Sequence, residues 1–486
     1  MISLLYNNPS AHRSTEKQSR LIYHLSIDRS FAKICSDINK TDYFFSVLSS
    51  PLKEKEEIEF RKEILCDLNE TENLFTEFCS LYRRFNELHE FHKSAKKNNY
   101  RINFSNESSI KEAGNNIQTN AITLKKALLF IKGFCELLSK YEIRSCGLQK
   151  FKEECKKIYE NENFDRLIKL CGKYEYMSTM TSLAFRLVLD ENGRMDEYSF
   201  IDPNKLNLFG SEEKQKGFFR FKKTEENKIK TEPLNPIERD FYNNAATDAL
   251  SDIAKTLEYI SNQIFEKFSE VYTELTFYEI ALNYIKTLKN KSIPYCFADI
   301  SENGAIKIKE LRDLYLLMTK NSPSDVVSND LEMSDKTKGI VVFGNNGSGK
   351  TVFLRSIATM QLLSQAGLPV TAKEAEILIF SDIFTQFSEA EKEFCEGNDA
   401  GRFEQEVREM ADIVENIKDG SLVFLNETFQ STAYAEGAEG LYYLLKYFSE
   451  RGIRWILVSH LTQIKDLFSD GEAVILKTAP GYKIIK

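Results

Sequence analysis

One stretch decides the fold of the last third of the chain: Ile340-Val341-Val342-Phe343-Gly344-Asn345-Asn346-Gly347-Ser348-Gly349-Lys350-Thr351. Its first four residues are apolar and predict a buried strand, and the next eight match the pattern G-x-x-x-x-G-K-[ST]. Apolar residues then recur at helical spacing as far as Leu363. A strand, a glycine-rich loop and a helix in this order form the context that the pattern requires.

The residue types of this loop are those that phosphate binding needs. Glycines let the backbone curl so that successive N–H groups face an anion, and the helix N-terminus adds a favourable dipole. Lys350 can reach the β- and γ-phosphates, and Thr351 can offer its hydroxyl to Mg²⁺. We therefore predict ATP and Mg²⁺ as cofactors, with the phosphates held by Gly344, Asn345, Asn346, Gly347, Ser348, Gly349, Lys350 and Thr351.

A second apolar run, residues 422–425, ends in Asn426-Glu427. P-loop ATPases usually carry Asp and then Glu here, the Asp to steady Mg²⁺ and the Glu to orient the attacking water. The amide of Asn426 can hydrogen-bond a metal-bound water but brings no negative charge. We predict a metal site of Thr351 and Asn426 with lowered Mg²⁺ affinity or turnover, and Glu427 as the catalytic base.

A third apolar run leads into Val458-Ser459-His460. A lone His is more often structural, but a His at the carboxyl end of a strand can sense a γ-phosphate. Its order and spacing, 33 residues after Glu427, favour that role. The predicted catalytic residues are Glu427, His460 and Lys350.

The segment from Asp399 to Glu406 precedes a helical stretch through Ile417. In ABC-type ATPases a signature segment lies at this place, and its helix N-terminus points at the ATP held by the other subunit. This predicts a homodimer in which Gly401 and Phe403 contact the partner's nucleotide. A simple surface loop is the alternative.

Composition argues against a protein that binds DNA through its overall charge, against a zinc protein and against a membrane-spanning protein. The net charge is −8 over 486 residues, so any DNA contact must be a local basic patch. The nine cysteines form no CxxC pair, which argues against zinc, and their scatter fits reduced thiols in the cytoplasm. No apolar run approaches the ~20 residues that a membrane span needs, so we predict a cytoplasmic protein without membrane contact.

The earlier part of the chain predicts helices interrupted by a β-containing insertion. Apolar residues from Leu250 to Leu275 recur at intervals of three or four and predict one long amphipathic helix over residues 246–290, either a bundle core or a lever between domains. Asn192-Gly193 between β-type runs predicts a hairpin. From about residue 299, short apolar runs between helical segments predict an α/β domain with buried parallel strands.

Together these residues resemble the MutS family of DNA mismatch-repair ATPases. The likeness runs from about residue 337 to 468 and is weaker upstream, where residues 48–61 are similar to the start of the MutS lever. The stretches that carry it are Gly367-Leu368-Pro369-Val370-Thr371-Ala372, Asp382-Ile383-Phe384-Thr385, Phe403-x-x-Glu406-x-x-Glu409-x-Ala411-x-Ile413, Glu427-x-x-x-Ser431-Thr432 and His460-Leu461-Thr462.

The resemblance implies a multidomain protein with an α-helical lever and clamp region before a C-terminal α/β P-loop ATPase domain of the ABC type. Two subunits would close around two ATPs, and the lever would pass that change to a clamp on DNA. The domains that it implies are a leader at 1–40, a lever at 41–298 with a clamp-like insertion at about 161–240, and the ATPase domain at 299–486.

The chain departs from the family pattern in three respects. Residues 1–40 leave no room before the lever for the family's mismatch-reading and connector domains, so a shortened form is expected. Gly401 stands where the signature has Ser, and Asn426 stands where the strand end has Asp.

A basic and aromatic stretch in the predicted clamp is the candidate DNA contact. Basic side chains can meet phosphates and aromatic ones can stack on bases, although a solvated hairpin strand would have the same composition. The candidate contacts are Lys214, Lys216, Arg220, Lys222 and Lys223.

Two functions remain open at this point. One is a MutS-like enzyme that couples ATP hydrolysis in a dimer to DNA clamping, in mismatch repair or recombination. The other is an ATP-gated scaffold with slow or no hydrolysis, acting on a protein or a branched nucleic acid, which the neutral Asn426 keeps open.

Overall fold

The chain forms two compact units in a computed structural model that describes residues 2–9, 19–99, 109–175, 185–189, 195–200, 236–387, 399–429, 434–460, 463–464, 468 and 473–486. Unit 1 comprises Met1–Thr76, Tyr141–Phe151 and Glu270–Lys486, and unit 2 comprises Glu77–Lys140 and Lys152–Ser269. In this grouping residues 1–76 cluster with the C-terminal sheets. Within the described residues no helix is both long and apolar enough to span a membrane.

A helical N-terminal region precedes mixed α/β sheets, as predicted. The helices are α1 (Ser19–His24), α2 (Ile27–Phe31), α3 (Ile38–Leu48), α4 (Lys55–Glu70), α5 (Leu74–Asn99), α6 (Ser109–Ser139), α7 (Cys146–Tyr159), α8 (Phe164–Tyr174), α9 (Pro236–Phe268), α10 (Glu270–Asn290), α11 (Leu314–Thr319), α12 (Lys350–Gln365), α13 (Asp399–Asn416) and α14 (Tyr434–Glu450).

The strands belong to three sheets. They are β1 (Phe185–Leu189), β2 (Met195–Phe200), β3 (Asp299–Ile300), β4 (Ile306–Leu311), β5 (Asn329–Met333), β6 (Gly339–Phe343), β7 (Glu374–Ile377), β8 (Ile383–Phe387), β9 (Leu422–Asn426), β10 (Arg454–Val458), β11 (Ala473–Ala479) and β12 (Lys483–Ile485).

Unit 2 is a helical bundle with an aromatic core. Helix α6 packs against α8 and α9. Tyr82 and Phe134 lie with ring centroids 4.7 Å apart, and Phe85 and Phe265 lie 5.3 Å apart. All four are buried, so the apolar periodicity of these helices is a core pattern.

The prediction of one helix over residues 246–290 is wrong at Ser269. Helix α9 ends at Phe268 and α10 begins at Glu270. The Tyr82 hydroxyl donates to the carbonyl of Phe268 at 2.6 Å and so satisfies one of the carbonyls that a helix end leaves unpaired. The apolar spacing continues across the break because Phe268 and Val271 are both buried.

The predicted hairpin is confirmed as a two-stranded antiparallel sheet. Strands β1 and β2 pair with Leu187 opposite Tyr198, and the register shifts between Val188 and Leu189. The stretch that contains the candidate DNA contacts, residues 214–223, lies outside the described residues.

The main sheet of unit 1 has six strands in the order β12-β11-β6-β10-β9-β8. All neighbouring strands are parallel except β11 and β12. The predicted buried parallel strands are therefore confirmed: every residue of β6, β9 and β10 is buried. Since β10 lies between β6 and β9, their carboxyl ends share one edge of the sheet.

Helices cover both faces of this sheet. On one face, residues such as Val423, Leu425 and Trp455 join a core with α13 and α14. On the other face α12 lies against β9 and β10. Successive side chains of a strand alternate between faces, so Asn426, which follows the core residue Leu425, points to the α12 side.

A second sheet of four strands, in the order β3-β7-β4-β5, completes unit 1. Strand β4 is antiparallel to both β5 and β7, whereas β3 and β7 are parallel.

The carboxyl end of α12 is held by a buried arginine from α4. Arg61 is 0% exposed, donates to the carbonyl of Ala366 at 3.3 Å, and donates to the carbonyl of Leu5 at 3.2 and 3.3 Å. A cation at a helix C-terminus is electrostatically favourable. This contact fixes the helix that begins at Lys350.

The N-terminal residues are held by a buried carboxylate of α10. Glu274 is 4% exposed and accepts from the Ser3 hydroxyl at 2.5 Å and from the backbone N–H of Leu4 at 2.6 Å. Burial raises the pKa of Glu274 from its ordinary value of 4.5 to about 7, and the nearby Glu270 adds to this shift against the opposing hydrogen bonds.

We predict that Glu274 makes the stability of unit 1 depend on pH. A carboxyl with a raised pKa in the folded state stabilises the protein below its unfolded pKa of 4.5, and this contribution is lost as pH rises through about 7. The full loss corresponds to roughly 3 kcal/mol. The neutral variant Glu274→Gln should lack this pH-dependent loss of stability. Its thermal midpoint, compared with that of wild type at the same pH, should therefore rise between about pH 5 and about pH 8.

The matched control is Glu279→Gln, on the same helix, whose carboxylate pairs with Lys40 at 2.7 Å and is half-exposed. The difference in thermal midpoint between Glu279→Gln and wild type should not increase as the pH rises. A constant difference between Glu274→Gln and wild type over this pH range would contradict the prediction.

Candidate nucleotide site

The glycine-rich loop connects β6 to α12, as the sequence predicts. Gly347 and Gly349 have φ values of 73° and 94°, a backbone conformation that residues with a side chain rarely adopt. Gly349 is also the N-cap of α12. A side chain at Gly344 would collide with Thr478 of the neighbouring β11. Glycines are therefore required here both by backbone conformation and by the close approach of a strand.

Lys350 folds back over the loop. Its Nζ donates to the carbonyls of Gly344 at 2.8 Å and Asn345 at 3.0 Å. The side chain is buried, and burial lowers the pKa of Lys350, against the opposing effect of Glu427. The ammonium therefore lies inside the curve of the loop.

The predicted metal-site residues are in direct contact. The Thr351 hydroxyl donates to Oδ1 of Asn426 at 3.0 Å. Asn426 ends β9 and is buried on the α12 side of the sheet. The two oxygens thus lie beside the start of α12.

Glu427 lies between two basic side chains. Its Oε1 is 2.9 Å from Nε2 of His460 and 3.8 Å from Nζ of Lys350. The His460 and Lys350 nitrogens are themselves 3.5 Å apart. The three predicted catalytic residues, from three separate elements, therefore form one cluster.

Strand pairing explains this convergence. Val458 of β10 pairs with Asn426 of β9 and with Val342 of β6. Beyond the strands, the N–H of Glu427 donates to the carbonyl of Val458 at 2.9 Å. Glu427 has a φ of 59°, an uncommon conformation for a residue with a side chain and one that often marks functional sites.

The signature residues are described only in part. Gly401 and Phe403 lie near the start of α13, and the surroundings of both residues lie outside what the structure describes. Leu461 and Thr462, which follow His460, also lie outside them.

One neighbour of the loop was not found from the sequence. Tyr482, in the turn between β11 and β12, lies against Gly349. The Pro480-Gly481 dipeptide marks this position as a turn, but nothing local in the sequence links it to the loop.

Part of the chain matches a known protein family and several of its members. The family described as MutS domain V matches residues 340–479. The chain is 25% identical over 224 residues to the DNA mismatch repair protein MutS of Thermotoga petrophila, covering 46% of this chain and 28% of that protein. It is 26% identical over 216 residues to Endonuclease MutS2 of Lachnoclostridium phytofermentans, covering 44% and 26%.

A eukaryotic relative matches in the same way. The DNA mismatch repair protein MSH4 of Arabidopsis thaliana is 27% identical over 189 residues, which cover 39% of this chain and 23% of that protein. The matches thus span about a quarter of the length of these curated relatives. Residues 340–479 are thus similar to MutS domain V, and the relatives that the chain matches are named MutS, MutS2 and MSH4.

Proposed function

We propose that this chain is a MutS-type ATPase that couples ATP hydrolysis in a dimer to DNA clamping, in mismatch repair or a related recombination process. One observation carries the ATPase part: Lys350, Glu427 and His460 meet at the carboxyl edge of the parallel sheet, beside a glycine-rich loop. This is where open α/β sheets bind ligands.

Lys350 is the principal phosphate-binding residue in this proposal. Its Nζ now bonds two neutral carbonyls, and the β- and γ-phosphates would replace them with charged acceptors. Charge-assisted hydrogen bonds are shorter and stronger than neutral ones. The exchange also offsets the burial that lowers the pKa of Lys350.

The oxygen atoms of Thr351 and Asn426 fit Mg²⁺, which prefers oxygen ligands. In the proposal they hold the ion together with the ATP phosphates, Asn426 through a water. When bound, Mg²⁺ neutralises charge on the phosphates. With the neutral amide of Asn426 in place of a carboxylate, the protein contributes little negative charge of its own to the ion.

Glu427 is the general base in this proposal. Its carboxylate accepts a proton from the attacking water, and the contact with His460 fixes the orientation of one oxygen. His460 lies close enough to Lys350 for both to meet the same phosphate. His460 could then contact the γ-phosphate and Glu427 at the same time.

The dimer and the DNA contact rest on observations outside the cluster. A helix N-terminus at Asp399 suits a contact to a nucleotide held by a second subunit, which supports a homodimer. DNA as a partner rests on the relatives, two of which are named DNA mismatch repair proteins.

A second function stays in view because of Asn426. An ATP-gated scaffold with slow or no hydrolysis would use the same loop but would not need a tightly held metal. The scaffold and the enzyme differ in the rate of ATP hydrolysis. The scaffold would turn over ATP slowly or not at all, even with DNA or a protein partner present.

We predict that Lys350→Ala weakens ATP binding by about 100-fold or more, because the variant loses the ammonium that meets the phosphates. A direct titration with labelled ATP measures this. Lys336→Ala, which removes an exposed lysine just before β6, is the control and should bind like wild type. Equal ATP affinity in Lys350→Ala and wild type would overturn the proposed site.

We predict that Glu427→Gln keeps ATP binding but slows hydrolysis by about 100-fold or more, since it loses the base and keeps the shape. Steady-state phosphate release measures turnover, and light scattering with ATP and Mg²⁺ should show the accumulated dimer. Glu436→Gln, at an exposed site in α14, serves as the control. Wild-type turnover in Glu427→Gln would exclude Glu427 as the base.

We predict that Asn426→Asp lowers the Mg²⁺ concentration for half-maximal ATPase activity, because a carboxylate attracts a hard cation more strongly than an amide. The Thr351 hydroxyl can still donate to the new side chain. A Mg²⁺ titration of both proteins measures the shift. Identical half-points would mean that residue 426 does not act on the metal.

A further inference from the structure

The backbone just after β9 carries two residues in an uncommon conformation. Glu427 has a φ of 59° and Phe429 has a φ of 60°, although both have side chains. Such residues keep this conformation only where the surrounding structure holds them firmly. Thr428, which lies between them, is 0% exposed. The conformation of Glu427 therefore depends on the contacts that hold the backbone on its two sides.

The two sides of Glu427 are bonded to two different strands. On the side of β10, the N–H of Glu427 donates to the carbonyl of Val458 at 2.9 Å. On the side of β8, the hydroxyl of the next residue, Thr428, donates to Oε1 of Gln386 at 2.5 Å. Strand β9 lies between β10 and β8 in the sheet. The segment that carries the carboxylate is thus anchored to both neighbours of its own strand.

Gln386 is a polar residue on an apolar face of the sheet. It pairs with Leu425, so its side chain starts on the face where Leu425 joins the core of α13 and α14. The residue is 1% exposed, and its Nε2 has no hydrogen-bond partner in the part of the chain that the structure describes. A buried amide is costly unless it is hydrogen-bonded. Burial alone would therefore favour an apolar residue here, and the bond to Thr428 is what the glutamine provides.

The strand that carries Gln386 is itself held by α1. Strand β8 lies at one edge of the six-stranded sheet, and a helix that covers an edge strand protects and fixes it. The ring of His24 stacks on that of Phe387 with centroids 5.5 Å apart, and its Nδ1 lies 3.0 Å from the hydroxyl of Thr385. Gln386 lies between these two contacts and is a fixed point for Thr428.

We propose that Thr428, held by Gln386, is a positioning residue for Glu427. The inference rests on the proposed role of Glu427 as the general base and deepens it. With its hydroxyl fixed, Thr428 keeps the adjoining backbone in the conformation that places the Glu427 carboxylate 2.9 Å from His460. A misplacement of about 1 Å at a reacting group can lower a rate by on the order of 100-fold. Thr428 therefore governs the rate of hydrolysis, whereas the phosphate loop governs the affinity for ATP.

The test measures kcat and KM for ATP, together with the thermal midpoint. Thr428→Val keeps the shape of the side chain and loses the donor, so it should lower kcat by about 10-fold or more and leave KM within about twofold of wild type. Gln386→Leu loses the acceptor and should have the same effect. Thr428→Ser keeps the hydroxyl and should retain kcat within about threefold of wild type.

The double variant, Thr428→Val with Gln386→Leu, separates positioning from stability. Removing both partners of a buried hydrogen bond costs less stability than removing one, so its thermal midpoint should exceed those of both single variants. Its kcat should stay as low as theirs, because the two residues act through one bond. A kcat that recovers together with the thermal midpoint would overturn the proposal, since the single variants would then act through stability alone.

The matched control is Thr371→Val, at another buried threonine, whose hydroxyl donates to the carbonyl of Arg312 at 2.7 Å. This variant should lower the thermal midpoint and keep the kcat of wild type. Wild-type kcat in Thr428→Val, or an equal loss of kcat in Thr428→Ser, would overturn the positioning role and leave Glu427 standing as the base. Wild-type turnover in Glu427→Gln would instead remove the proposed base, and the role of Thr428 would fail with it.

Discussion

Parallel pairing of β6, β10 and β9 is the constraint on which the candidate site depends. Parallel strands in register bring their carboxyl ends to one edge, so the residues that follow them must meet. The strands can pair in this way only because both faces are covered, by α12 on one side and by α13 and α14 on the other. The cluster of Lys350, Glu427 and His460 is thus a consequence of how the sheet is buried.

The ion pairs of the cluster join one carboxylate to two basic groups. Lys350 is buried, and Glu427 lies near both Lys350 and His460. With Asn426 at the end of β9, the edge has an amide where a second carboxylate would otherwise stand. In the proposed site, anionic phosphates would therefore meet a less negative surface, and a divalent cation would meet fewer charged ligands. The neutral side chain of Asn426 therefore bears on both proposed functions, because it affects the phosphates and the cation in opposite ways.

Helix α12 is also fixed at its carboxyl end, far from the candidate site. Arg61 and the amide of Gln365 join the carboxyl end of α12 to the carbonyls of Leu5 and Leu52. Buried polar groups of this kind are costly unless each has a partner, so the pairs define one position for the helix. Residues near the N-terminus, far away in the sequence, thereby help to place Lys350.

The sequence by itself determined the loop, the three strands behind it and the polar residues at their ends, because apolar runs and glycine patterns are local signals. It also indicated the hairpin of β1 and β2 and the helical character of the earlier chain. Tertiary structure alone decided the helix break at Ser269, where a hydroxyl from another helix takes the terminal carbonyl. It likewise decided the grouping of residues 1–76 with the C-terminal sheets and the approach of Tyr482 to Gly349. These features depend on contacts between residues distant in the chain, which periodicity within a short window cannot reveal.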